Sequence, residues 1–93
     1  MKFDIKSFHT LWRRKLDVDQ RMELIRLADF TEKQYNIFIY TEVKGYTNKE
    51  VAKILDYDDT RRVERLKNKA MQRILDVINN PKNNKFYSKQ ISA

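Results

Sequence analysis

Ninety-three residues, 41% of them apolar and 35% charged, suffice for one small core under a heavily solvated surface. A single Gly (Gly45) and a single Pro (Pro81) exclude a sandwich or barrel, whose hairpin turns need several residues tolerant of positive φ; no Cys and one His (His9) exclude disulfides, thiolate chemistry and Cys-ligated zinc and leave little for a His-based metal or catalytic site. The net charge of +7 is confined to the last third: residues 1–59 balance, whereas 60–93 set Arg61, Arg62, Arg65, Lys67, Lys69, Arg73, Lys82, Lys85 and Lys89 against only Glu64 and Asp76. Such clustering points to a polyanionic partner, because clustered cations bind phosphates by releasing counterions.

In chain order, residues 4–15 read as a first helix, with Ile5, Phe8, Leu11, Trp12 and Leu16 on one side. A second is expected from about Asp19 to Asp29, capped by Asp17 or Asp19, with Met22, Leu24, Ile25 and Ala28 as its buried stripe; the two could also fuse into one bent helix. Thr31-Glu32-Lys33-Gln34 is a capping box, with Phe30 just outside, placed to staple onto Tyr35. That helix runs to about Lys44 and ends at Gly45. Thr47-Asn48-Lys49-Glu50 is a second capping box, opening a short helix through Leu55. After the turn Asp56-Tyr57-Asp58-Asp59, a last helix capped by Asp58, Asp59 or Thr60 runs to about Asn79 and buries Val63, Leu66, Ala70, Ile74 and Val77. Asn79-Asn80-Pro81 ends it.

The expected fold is therefore all-α: a small bundle of four to five helices containing a helix-turn-helix, with a basic C-terminal tail. Residues 1–29 form an N-terminal helical extension, 30–80 the helix-turn-helix domain and 81–93 a flexible basic tail. No apolar run approaches the ~20 residues needed to span a bilayer. The start, Met1-Lys2-Phe3-Asp4, lacks the apolar stretch of a signal peptide. A cytoplasmic protein is expected, with no membrane partner.

A short helix, a turn and a longer basic helix make a helix-turn-helix pattern, in which the second helix enters the major groove of double-stranded DNA. Val51 and the small Ala52 face the helix crossing. On the second helix Thr60, Arg61, Arg65 and Asn68 project away from the buried stripe and are the candidate base readers; Arg can donate two bonds to guanine O6 and N7. Thr47, Lys49, Arg62, Lys69 and Arg73 are the candidate phosphate contacts. Cations near a helix N-terminus are mildly unfavourable, so Arg61 and Arg62 need either a nucleic-acid partner or Asp58 and Asp59 as intramolecular ones. Asp56, Asp58 and Asp59 cluster, but no third ligand, Gly-rich phosphate loop or nucleophile accompanies them. No enzyme, metal site or cofactor is expected.

The run Phe30-Thr31-x-x-Gln34-x-x-Ile37-Phe38, then Gly45-x-Thr47-x-x-Glu50-Val51-Ala52-x-x-Leu55, then Val63-x-x-Leu66-x-x-Lys69-Ala70-x-x-x-Ile74 resembles region 4 of the sigma-70 family, over roughly residues 30–75, about half the chain. That region reads the promoter −35 element. The resemblance implies that Thr60, Arg61 and Arg65 touch bases and that Arg62 and Lys69 touch the backbone. It also implies a docking surface for the RNA polymerase β-flap around Phe30, Tyr35, Phe38 and Ile39. The turn Asp56 to Asp59 is one residue longer and more acidic than the family's. Arg61 and Arg65 stand where the family often has Glu and Gln, so a −35-like target does not carry over. Ninety-three residues leave no room for the promoter-melting region, so the resemblance implies a stand-alone, region 4-like transcription regulator of phage or mobile-element type.

Two other readings belong to different classes. One is a polymerase-binding interaction module that does not read bases, motivated by the aromatic residues of 30–40 and Trp12. The other is the DNA-recognition domain of a phage small terminase subunit, which would assemble as a ring. One helix-turn-helix reads only a few base pairs, so a homodimer or a polymerase scaffold is the expected route to useful specificity.

Overall fold

A computed structural model describes residues 1–93 as an all-helical chain with no strand. Six helices follow in order: α1 (Ile5–Thr10), α2 (Val18–Ala28), α3 (Glu32–Phe38), α4 (Asn48–Ile54), α5 (Thr60–Asn79) and α6 (Pro81–Ser92). α1 and α3 each run on into a wider π-helical stretch, Leu11–Lys15 and Ile39–Val43. The chain forms two compact units: Met1–Asp29 with Arg73–Ala93, and Phe30–Gln72. Residues 73–80, assigned by sequence to the helix-turn-helix domain, thus group with the N-terminal residues.

In the first unit, α1 opens on a capping box: Ser7 N–H donates to Asp4 Oδ1 (2.8 Å) and Asp4 N–H to Ser7 Oγ (2.9 Å). Leu16 is extended (φ −98°, ψ 134°), so the first two helices do not fuse. Phe3, Phe8, Leu11, Trp12 and Leu16 are buried. Ile5 is not: it sits at the first helical position and stays half exposed, while Phe3, ahead of the helix, fills the core. Arg21 lies over the Trp12 ring, 5.6 Å from its centroid, and its Nε donates to the Trp12 carbonyl.

α2 starts on the reciprocal Asp17–Gln20 pair and stops at Asp29, which takes a left-handed conformation (φ 50°). Leu24 and Ala28 are buried, but Met22 is exposed. At roughly 100° per residue, Met22 and Leu24 lie on nearly opposite sides of a helix and cannot share one core face.

The expected mobile tail is a helix. The Asn80 side chain accepts from Lys82 N–H (3.0 Å), and Pro81, read as a terminator, occupies the first helical position, where its missing N–H costs no bond. Tyr87 is 4% exposed, so α6 is anchored. The chain start is held to the same region. Phe3 N–H donates to Asn79 Oδ1 (2.7 Å), Asn79 Nδ2 returns to Phe3 O (2.9 Å), and Asn84 Nδ2 donates to Met1 O (2.6 Å).

In the second unit, both capping boxes read from sequence are formed. Gln34 N–H donates to Thr31 Oγ1 and Thr31 N–H to Gln34 Oε1; Glu50 N–H donates to Thr47 Oγ1 and Thr47 N–H to Glu50 Oε1. Phe30 meets Phe38 (ring centroids 5.2 Å apart), whereas Tyr35, its expected staple, is exposed. Gly45 takes φ 75°, the positive value that closes the helical stretch before it. Ile37, Val51, Ala52 and Val63 form the core, with Tyr40, Leu55, Tyr57 and Leu66 packed against it. Along α5, Val63, Ala70 and Met71 are the buried positions of this unit and Leu66 is half-buried; Ile74 and Ile78, buried, and Val77, half-buried, belong to the first unit.

Candidate nucleic-acid interface

The site is built by α4, the turn after it and the first turns of α5. Thr47 fixes where α4 begins. The chain leaves α4 through Asp56, which adopts a left-handed conformation (φ 58°) of the kind Asp tolerates better than most residues. Tyr57 N–H donates back to the Ala52 carbonyl (2.8 Å). Asp59 then caps α5, its Oδ1 accepting from Arg61 N–H at 2.9 Å. Val51 (0% exposed) and Ala52 (6%) meet Val63 (0%) in the core, which fixes the roll of α5 about its axis.

With that side turned inward, Arg61, Arg65 and Asn68 fall on one outward stripe, four and three residues apart. All three are exposed, as are Arg62 and Lys69 on the neighbouring stripe; Thr60 is half-buried. Thr47 and Lys49 are exposed at the start of α4. Asp58, Asp59, Arg61, Arg62 and Arg65 line a shallow concavity of about 400 Å³.

Three arginines close to a helix N-terminus oppose the helix dipole, and two of them have local partners. Arg61 Nη2 lies 3.2 Å from Asp59 Oδ2, with the Arg61 side chain still 83% exposed. Arg62 stacks its guanidinium over the Tyr57 ring, 4.4 Å from the centroid. The side-chain bond from Arg61, aided by the N–H groups of Arg61 and Arg62, holds the Asp59 carboxyl below its usual range. Bonds from Thr47 do the same for Glu50 at the start of α4. Asp59 is thus the intramolecular partner that the sequence offered for Arg61. Tyr57 as the partner of Arg62 was missed, because the two stand five positions apart with the start of α5 between them.

Two expected site residues are placed elsewhere. Arg73 lies in the first unit, where its Nε donates to Ala28 O (2.9 Å) and its Nη2 to Asp29 O (2.7 Å). It closes the C-terminal end of α2, a favourable place for a cation, and is not a free phosphate contact. Phe38 is 1% exposed and belongs to the core, not to an apolar docking surface. Of its expected companions, Phe30 and Ile39 are half-buried and Tyr35 is exposed.

No His, Asp or Glu side chains gather in a group of three that could hold a metal ion. No helix is long and apolar enough to cross a membrane. No protein-family model, curated protein or solved structure matches the chain.

Proposed function

We propose that this chain is a sequence-selective, double-stranded DNA-binding transcription regulator that acts through a helix-turn-helix of sigma region 4 type, with α5 entering the major groove. The observation that carries this reading is the two-sidedness of α5 at its start. Val63 is wholly enclosed with Val51 and Ala52, while Arg61, Arg62, Arg65, Asn68 and Lys69 stay at the surface. A rigid helix that offers a cationic stripe at one end suits a groove lined by phosphates and acceptor-rich base edges. The Arg61–Asp59 pair does not close the stripe, because it engages one guanidinium nitrogen and leaves the Arg61 side chain 83% exposed.

The experiment is a titration of fluorescent duplex DNA followed by anisotropy at several salt concentrations. The expected result is an affinity that falls with added salt, with a slope of about −0.9 per phosphate neutralised. No affinity at low salt, or an affinity indifferent to salt, refutes the proposal.

A further inference from the structure

Asp59 and Arg61 are joined twice: Asp59 Oδ1 accepts from the Arg61 amide at 2.9 Å, and Asp59 Oδ2 lies 3.2 Å from Arg61 Nη2. Both carboxylate oxygens therefore engage Arg61, and the carboxylate is fixed by the backbone of α5 itself. A guanidinium bonded at one nitrogen to a backbone-fixed acid is biased toward the orientation that bond sets. It keeps N–H groups for an outside acceptor while giving only one to Asp59.

The carboxylate has a second effect. It stands in the same concavity as Arg61, Arg62 and Arg65 and repels any phosphate drawn to that cluster. A guanine edge, with neutral O6 and N7 acceptors, is not repelled in this way.

We infer that Asp59 is a positioning residue for base selectivity: it orients Arg61 toward a guanine edge and disfavours phosphate at the same place, so the preferred duplex carries a guanine opposite Arg61. This rests on the DNA-binding reading above and adds to it a specific division of labour. Asp59 lowers affinity for DNA in general and raises discrimination among sequences.

The test uses the full chain and two probes: a duplex of random sequence for general affinity, and a pool of random duplexes from which bound sequences are selected. Asp59→Asn is the central variant, because Asn caps a helix about as well as Asp and accepts the Arg61 amide without the charge. The expected outcome is tighter binding of the random duplex together with a guanine preference, at one position, that falls about tenfold, the order expected for one bidentate pair. Arg61→Lys keeps the charge but loses the fork. It is expected to hold its salt-dependent affinity and lose the same guanine preference. In the double variant the two losses are expected not to add.

Asp59→Asn selecting the wild-type sequence with undiminished preference overturns the inference while leaving DNA binding intact. Additive losses, or a guanine preference retained by Arg61→Lys, overturn it equally. Absence of salt-dependent binding by the wild-type chain defeats the DNA-binding reading itself, and this inference with it.

Discussion

The guanidinium of Arg62 lies over the ring of Tyr57, with 4.4 Å between its central carbon and the ring centroid. Tyr57 is packed against the Ile37/Val51/Ala52/Val63 core. A surface cation is thereby located by the interior of the unit, through one aromatic ring in the turn. Tyr57→Leu keeps the apolar packing and removes the cation–π attraction, worth roughly 0.5–1 kcal/mol at an exposed site. The expected result is a small loss in thermal stability and weaker binding to all duplexes alike. A guanine preference that collapsed with Tyr57→Leu would contradict the assignment of Arg62 to phosphate.

Arg65 and Lys69 share a helix but differ in expected role. Arg65→Ala is expected to weaken the preferred duplex by ~1–3 kcal/mol and to relax choice at one position. Lys69→Ala is expected to weaken every duplex similarly and to reduce the salt slope by about 1. Parallel titrations on selected and random duplexes distinguish the two patterns.

Arg73→Ala makes the opposite contrast. Its donors go to the carbonyls at the end of α2, and hydrogen bonds from a charged group contribute about 1.5–3 kcal/mol. A lower denaturation midpoint with DNA affinity unchanged is the expected outcome; weaker DNA binding by a fully folded Arg73→Ala protein would restore Arg73 to the interface.

Val63 tests the packing beneath the site. It is 0% exposed between α4 and α5, so Val63→Ala leaves a cavity and costs about 2 kcal/mol. For a domain of this size that lowers Tm by roughly 10 °C. DNA affinity should fall only to the extent that calorimetry shows the protein unfolded.

Acid should loosen the helix starts. Hydrogen bonds from Ser7, Thr47 and Arg61 hold Asp4, Glu50 and Asp59 below the ordinary carboxylate range. A depressed carboxylate stabilises the fold fully above the unfolded-state pKa, about 4, and that contribution is lost as pH falls through the lower folded value. Urea midpoints should therefore hold steady from neutral pH to about 5 and decline below 4. Glu50→Gln, which can still bond Thr47 N–H, should flatten part of the decline.

What the sequence revealed was local. The capping boxes Thr31/Gln34 and Thr47/Glu50 need only three-residue spacing, and both formed with the expected partners. The inward face of α5 followed from its period, with Val63, Ala70 and Ile74 fully buried. What stayed hidden depended on residues far apart in the chain. Arg73 looked like one more cation on a basic helix until Ala28 and Asp29, more than forty residues away, supplied its acceptors. α6 looked like a tail because its apolar residues are few and Pro81 is as much a starter as a stopper. Phe38 looked available because aromatic residues serve cores and interfaces alike.

Trp12 is the lone tryptophan, and it is 4% exposed inside the unit formed by Met1–Asp29 and Arg73–Ala93. Four of the five tyrosines, Tyr35, Tyr40, Tyr46 and Tyr57, lie in Phe30–Gln72; the fifth, Tyr87, lies in the same unit as Trp12. In a Tyr87→Phe background, intrinsic emission is thus divided by colour between the two halves of the molecule. Superimposable indole and phenol melting curves would mean one cooperative transition; separated curves would give each half its own melting point, with no label attached.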